Sequence, residues 1–196
     1  CALERIAALA AHFGVDILED ASHALGASYE GRPVGDGRYS RGAVFSFHPV
    51  KMITTGEGGA FVTNDSALAR RVASLRSHGI TRDPACLQFE VDGPWAYEQQ
   101  ELGYNYRMND MQAALGLSQL QRLGRFIDTR EALARRYDEA LAGLPLLPLE
   151  ILPAARSSRH LYVIQLTSPA GAAERLRVYE ELRARGIGVQ VHYIPV

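Results

Sequence analysis

The first twenty residues constrain the fold more than any other stretch of the chain. Residues 2–13 (ALERIAALAAHF) carry apolar side chains at helical spacing, and Gly14 follows as a typical C-terminal stop. Residues 15–20 (VDILED) then have the character of a short buried strand that ends in two carboxylates. A helix, a glycine and a strand in this order are typical of an α/β sheet.

The next stretch continues this pattern. Residues 43–48 (AVFSFH) and 59–64 (GAFVTN) are predicted strands with glycine-rich turns between them. A helix is predicted over residues 65–77, with Asn64 or Asp65 as its N-cap. We therefore predict the α/β class.

The second half of the chain is organised differently. Residues 79–104 are irregular, and a loop of that length in a compact domain is often functional. A strong helical pattern follows over residues 109–142, starting at Asn109 or Asp110 and bending near Gly124.

A proline-rich linker, residues 144–153, precedes a β-α-β pattern. Its predicted elements are a strand over 160–166, a helix over 172–185 and a strand over 188–194. This pattern predicts a second, smaller domain.

Composition excludes several classes of protein. The chain has 196 residues, 47% of them hydrophobic, and a net charge of −1, which argues against a nucleic-acid or anionic-membrane surface. No apolar run approaches the ~20 residues that span a bilayer, and no signal-peptide pattern opens the chain. Cys1 and Cys86 form no CxxC pair, so we expect no metal site and a cytoplasmic location.

Lys51 stands out among the cationic residues. Lysine and arginine total 21, and the printed sequence contains twenty arginines, so 21 − 20 leaves Lys51 as the one lysine. An amine can lose its proton and attack a carbonyl, whereas a guanidinium stays protonated. The alternative is a solvated surface lysine.

Asp20 and the neighbours of Lys51 suggest which reaction that amine serves. Asp20 lies just beyond a predicted strand, where α/β sheets bind ligands, although it could instead cap a helix over ASHAL. The hydroxyls and glycines near Lys51 are suited to holding an anion such as a phosphate; they are Ser46, Thr54, Thr55, Gly56, Gly58 and Gly59. A Schiff-base lysine, an aspartate for a pyridinium nitrogen and a phosphate cradle are the parts of a pyridoxal-phosphate site.

Five motifs in this order resemble the DegT/DnrJ/EryC1/StrS family of sugar aminotransferases across essentially the whole chain. They are EDASHALGASYEGRPVG, FSFHPVKMITTGEGGAFVTND, LRSHGI, ELGYNYRMNDMQAALGLSQL and VHYIPV. Within the family, the chain looks most similar to 4-aminotransferases that act on UDP-4-keto-6-deoxy-N-acetylhexosamines, on the way to pseudaminic acid and related bacterial glycans.

The resemblance implies a role for each of five residues. Lys51 is the catalytic residue, which forms the Schiff base with pyridoxal 5'-phosphate and moves the proton. Asp20 pairs with the pyridine nitrogen, His23 packs beside the ring and Ser46 holds the phosphate. Asn105 reaches the phosphate in the other subunit's site, which makes the enzyme a homodimer with shared active sites.

The residues by themselves leave alternatives open. His23 could be a core histidine, Ser46 the polar face of a strand and Asn105 a turn residue. His192 and Tyr193 are weaker candidates for contact with the sugar, with a structural role at a strand end as the alternative.

Trp95 is the third weak candidate for substrate binding. It could line the sugar pocket or cover the core.

The resemblance also implies the pyridoxal-phosphate-dependent transferase fold of type I, with a mostly parallel α/β/α large domain and a small α+β domain. Residues 1–125 would be the later part of the large domain, and residues 126–196 the linking helix and the start of the small one. The family's N-terminal phosphate-gripping turn, its ring-stacking aromatic residue and the end of the small domain have no counterpart here. We therefore expect a fragment that is inactive alone.

The implied reaction passes an amino group from a donor such as glutamate to a 4-keto-6-deoxy nucleotide sugar. One alternative is a dehydratase of the same family, but those enzymes replace the lysine with histidine. The other is a catalytically silent relative with a binding or regulatory role.

Overall fold

The computed structural model describes residues 1–193, and this part of the chain contains five α-helices and ten short strands. The helices are α1 (Leu3–Phe13), α2 (Ser66–Arg76), α3 (Asp110–Leu120), α4 (Leu123–Ala140) and α5 (Ala172–Ala184). The strands are β1 (Leu18–Asp20), β2 (Ser28–Tyr29), β3 (Arg32–Pro33), β4 (Gly42–Ser46), β5 (Gly59–Val62), β6 (Ile80–Thr81), β7 (Glu98–Gln99), β8 (Leu146–Pro148), β9 (Ala155–Arg156) and β10 (Ile164–Leu166).

The chain forms two compact units. Unit one comprises Cys1–Arg130 together with Ile151–His160. Unit two comprises Glu131–Glu150 and Leu161–Val196, of which the described part ends at residue 193. The domain boundary expected after residue 125 remains a prediction.

The main sheet of unit one has the strand order β1-β4-β5. β1 runs parallel to β4, with Asp20 opposite Val44, and β4 runs antiparallel to β5. One face of the sheet buries Ala43 and Phe45, which form a core cluster with Ala21 at the end of β1. The carboxyl ends of β1 and β4 therefore lie at the same edge of the sheet, where α/β folds place their ligands.

Local signals set the helix ends as the sequence predicts. α1 ends at Gly14, whose φ of 64° is left-handed and suits a residue without a side chain. Of the two candidate caps of α2, Asp65 is the one used, and its carboxylate accepts from the backbone of Ala67 and Leu68. α3 begins after Asn109, which forms a capping box with Gln112.

The long helix predicted over residues 109–142 is two helices. Arg122 N donates to Gln119 O, three residues back, and this tighter turn separates α3 from α4. Gly124, where a bend was expected, lies inside α4. The helical character predicted for this stretch is confirmed, but a break at residues 121–122 takes the place of the predicted bend near Gly124.

Residues 79–104 contain more structure than the sequence indicates. β6 and β7 pair antiparallel, with Ile80 opposite Gln99, and Pro84–Cys86 form a 3-10 turn capped by Asp83. Long-range pairing of this kind leaves little trace in a local pattern.

Unit two contains α5 and the antiparallel pair β8 and β10. β8 lies in the segment predicted to be a linker, and the strand predicted over 160–166 is confined to Ile164–Leu166. Residues 188–193 form no strand, contrary to the prediction, and residue 194 lies outside the described residues.

No helix within residues 1–193 has the length and apolar character needed to cross a membrane.

Candidate active site

Asp20 and Ser46 lie at the same edge of the main sheet. Asp20 ends β1, Ser46 ends β4, and the two strands are parallel neighbours. The backbone continues this pairing beyond the strand, since Ala21 N donates to Val44 O at 2.9 Å. The sheet therefore brings together two residues that are 26 positions apart in sequence (46 − 20).

A tight turn orients the carboxylate of Asp20. Its Oδ1 accepts from Ser22 Oγ at 2.5 Å and from Ser22 N at 3.1 Å. The Ser22 hydroxyl lowers the pKa of Asp20 most, followed by the Ser22 backbone N–H; burial opposes this, and the charges of His23 and Lys51 add to the lowering. The structure thus keeps Asp20 ionised and close enough to His23 and Lys51 to respond to their charges.

The alternative in which Asp20 caps a helix is wrong. Residues 21–27 form consecutive turns, in which Ala24 N donates to Ala21 O and Ala27 N donates to Ala24 O. An aspartate followed two residues later by serine forms a local side-chain turn of its own.

Lys51 is carried by a closed loop, residues 47–58. Phe47 closes this lysine loop, since its N–H donates to Gly58 O at 2.8 Å and its carbonyl accepts from Thr55 N at 3.0 Å. Thr54 Oγ1 donates to the same carbonyl at 3.0 Å. Lys51 is half-buried, and its N–H closes a turn onto His48 O. Lys51 is therefore not a fully solvated surface lysine.

Helix α3 contacts the lysine loop through two residues. Gln119 Oε1 accepts from Thr54 N at 3.0 Å. Gly116 packs so closely that an added Cβ would lie 2.8 Å from Cγ2 of Thr55. Sequence reasoning missed both supporting residues, because their function depends on a contact across some 60 residues.

Ser46 and His23 have the exposure that ligand-binding residues need. Ser46 is half-buried, and its Oγ accepts from His48 N at 3.4 Å, which leaves its hydroxyl proton to donate elsewhere. His23 is exposed, so the core-histidine alternative is wrong. The ring of His23 lies 4.3 Å from that of His160, between centroids.

Asn105 is held on a different part of unit one. It is exposed and forms an isolated antiparallel bridge with Ser77. Within residues 1–193, no hydrogen bond or ion pair joins Asn105 to Asp20 or Lys51. Met108 of the same stretch reaches the lysine loop, where its Cε would lie 2.8 Å from a Cβ added at Gly58.

The weaker substrate-binding candidates are divided between the two units. Trp95 belongs to unit one, is 66% exposed and lies over Gly93, so it does not cover the core. His192 and Tyr193 are exposed residues of unit two whose ring centroids lie 3.5 Å apart. Neither is at the end of a strand.

Asp20, Ser46 and Lys51 together offer three kinds of contact. An ionised carboxylate suits a cationic ring nitrogen, a half-buried hydroxyl suits an anion, and an amine suits a carbonyl. These are the contacts that pyridoxal 5'-phosphate requires, so the residues present fit that group.

The profile of the DegT/DnrJ/EryC1/StrS aminotransferase family matches residues 1–196. The chain belongs to this family. Among curated members, UDP-4-amino-4,6-dideoxy-N-acetyl-beta-L-altrosamine transaminase of Campylobacter jejuni is 40% identical over 194 residues, which are 98% of this chain and 48% of that protein. The chain spans about half the length of the curated relatives it matches.

Solved structures of family members superpose on the chain. Helicobacter pylori PseC, an aminotransferase involved in the biosynthesis of pseudoaminic acid, has 38% identity and a TM-score of 0.87, and the match covers 100% of this chain and 50% of PseC. The putative sugar aminotransferase Spr1654 from Streptococcus pneumoniae, in its PMP form, has 31% identity and a TM-score of 0.87, and the match covers 100% and 53% of the two chains. The resemblance and the fold class inferred from the sequence are thereby confirmed.

Proposed function

We propose that the protein containing this chain is a pyridoxal-phosphate-dependent aminotransferase for a 4-keto-6-deoxy nucleotide sugar of the UDP-N-acetylhexosamine type. The amino donor would be an amino acid such as glutamate, and the product would serve bacterial surface-glycan or amino-sugar biosynthesis. Family membership supports the reaction class, and the names of the Campylobacter and Helicobacter relatives support the sugar.

One observation carries the proposal. The chain's one lysine lies in the lysine loop, and its charge acts on Asp20 at the edge of the sheet. A lysine amine and an ionised carboxylate that are near enough for their charges to interact are the pair that this cofactor chemistry needs. A catalytically silent relative would have no reason to keep both.

Pyridoxal 5'-phosphate, when bound, supplies an electron-withdrawing ring that stabilises negative charge at the carbon where a proton is removed. Asp20 would keep the ring nitrogen protonated, because its own pKa is low and it therefore stays ionised. Ser46 would donate its hydroxyl proton to the phosphate. His23 would pack beside the ring.

Lys51 has two tasks in this proposal. Its Nζ would hold the cofactor at the carbonyl carbon, with the carbonyl oxygen leaving as water. As a free amine it would take a proton from the carbon of one substrate and return a proton to the carbon of the other. A guanidinium can do neither at neutral pH. The dehydratase alternative is disfavoured because it requires histidine at this position.

Asn105 would serve the second subunit of a homodimer. Its exposed position, on a segment that is not bonded to Asp20 or Lys51, is compatible with binding the phosphate in the partner's site. His192, Tyr193 and Trp95 remain weaker candidates for contact with the sugar.

The test uses the full-length protein with Lys51→Ala and Lys51→Arg beside it. With pyridoxal phosphate added, we expect a visible absorption band in the parent, bleached by glutamate, and no band in either variant. Borohydride reduction followed by peptide mass spectrometry should place the cofactor on Lys51. Lys51→Arg is the matched control, since it keeps the positive charge but lacks a nucleophilic amine.

A folded parent without the band would contradict the proposal, as would a band of equal intensity in Lys51→Arg. A band that glutamate leaves unchanged, with a dehydrated sugar as product, would support the dehydratase alternative.

A further inference from the structure

Residues 151–160, here called the returning segment, belong to unit one although unit two precedes and follows them along the chain. The backbone secures the start of this segment, since Glu30 N donates to Ala154 O and β9 pairs antiparallel with β2. A salt bridge of 3.1 Å also joins Arg156 to Asp128 on α4. The returning segment is therefore fixed to the elements that follow residues 20–23, here called the Asp20 turn.

Ser158 connects this segment to the site. It is 1% exposed, and its Oγ donates to the carbonyl oxygen of His23 at 3.2 Å. Two residues on, the ring of His160 lies 4.3 Å from the ring of His23, tilted by 47°. Both the backbone and the side chain of His23 thus contact the returning segment.

The segment keeps this position despite a backbone strain. Arg159 has a φ of 53°, in the left-handed region that a residue with a Cβ adopts at a cost. Arg130 Nη1 donates to the carbonyls of both Arg159 and His160, at 3.2 Å and 3.0 Å, and Ser157 Oγ accepts from Arg159 N. These bonds hold the conformation that points Ser158 and His160 at His23.

The Asp20 turn is consequently held at both ends. At its start, Ala21 N is bonded to Val44 of the sheet. At its end, His23 is bonded to Ser158. Ser22, which donates two hydrogen bonds to the Asp20 carboxylate, lies between these two points, so the direction of that carboxylate depends on both.

We infer that Ser158 and His160 are positioning residues that fix the turn carrying Asp20 and His23 in the orientation the cofactor needs; this inference rests on the proposed function. Neither residue touches the cofactor in this scheme. Ser158 acts through the carbonyl of His23, and His160 acts through its ring.

The first arm of the test needs no cofactor. Amide hydrogen exchange of residues 21–25 is compared among full-length apo parent, Ser158→Ala and the control Thr129→Ala, which loses an exposed hydroxyl bonded only to Arg125 O within α4. We expect about tenfold faster exchange over residues 21–25 in Ser158→Ala alone, since the carbonyl of His23 loses its donor. Unchanged exchange would overturn the inference.

His160→Leu provides a second variant should Ser158→Ala fail to fold. The leucine side chain still occupies space at this position, and the backbone carbonyl that Arg130 binds is unchanged. The substitution removes the ring beside His23. Faster exchange over residues 21–25 supports the inference here too, and exchange equal to that of the parent contradicts it.

The second arm measures cofactor binding. We expect Ser158→Ala to bind pyridoxal phosphate about tenfold more weakly than the parent, with a shifted visible band, while Thr129→Ala matches the parent. If the parent binds through Lys51 and Ser158→Ala is identical to it, the inference fails and the proposed function stands. If the parent does not bind the cofactor, the proposed function fails, and with it the positioning role.

Discussion

The charged form of Asp20 is stabilised by residues of its own turn, without a ligand. The adjacent hydroxyl and N–H of Ser22 stabilise its charged form, and the charges of His23 and Lys51 act in the same direction. The turn thus supplies an ionised carboxylate at the edge of the sheet, where a cationic ring nitrogen would need one.

Ser22→Ala is predicted to raise the pKa of Asp20 towards the ordinary value of an aspartate, because the largest stabilising contact is lost. A carboxyl whose pKa is depressed in the folded state stabilises that state above its unfolded pKa, and this contribution disappears as the pH falls through the folded pKa. The variant should therefore lose stability at neutral pH but not at a pH below the folded pKa of Asp20.

The measurement is an NMR titration of the Asp20 carboxyl carbon in the apo protein. Ser118→Ala removes an exposed hydroxyl on α3 and should leave the titration unchanged. An Asp20 titration in Ser22→Ala that overlays the parent would contradict the assigned cause.

At the scale of the elements, helix α3 packs against the lysine loop. Gly116 and Gln119 lie one turn apart on this helix, and both meet the loop at Thr54 and Thr55. The position of Lys51 therefore depends on a helix that begins 59 residues further along the chain (110 − 51).

Gly116→Ala and Gly124→Ala form a matched pair of predictions. At Gly116 the new methyl group would lie 2.8 Å from Cγ2 of Thr55, which is 3% exposed and fixed by its bond to Glu57 O. We expect Gly116→Ala to lower the free energy of unfolding by about 1–3 kcal/mol through overpacking. Gly124 has open space around it in α4, so Gly124→Ala should raise that free energy by about 0.5–1 kcal/mol.

Urea denaturation of both variants, followed by circular dichroism, gives the two values. Equal stabilisation by both substitutions would show that α3 does not press on the lysine loop.

At the scale of the whole molecule, much apolar surface remains in contact with solvent. On α1, the side chains of Ile6, Leu9 and Phe13 lie along one helix face and are 42%, 59% and 67% exposed. An apolar stripe of this kind promotes association.

Leu9→Glu is accordingly predicted to reduce self-association of the 196-residue chain, since it places a charge in the centre of that stripe. Ala11→Glu adds the same charge to the opposite side of α1 and should have little effect. Sedimentation velocity over a concentration series would measure both. A similar reduction by the two substitutions would indicate a general effect of charge and not of the stripe.

The helix ends could be predicted from the sequence, because each depends on residues close to it in the chain. Gly14 ends α1, Asp65 caps α2 and Asn109 caps α3 because each signal acts on backbone groups within a few residues. The ordered motifs likewise identified the family. Lys51, as the one lysine of the chain, indicated chemistry at a carbonyl group.

Contacts between residues that are far apart in the chain could not be predicted from the sequence and are seen in the fold. The fold divides the helical stretch after Leu120, sets Gly116 against Thr55 and brings Ser158 back to His23 across 135 positions. Such contacts depend on packing and on which buried polar groups find partners, and neither leaves a period or a spacing in the sequence. The candidate residues could therefore be named from the sequence, whereas what holds them in place could not.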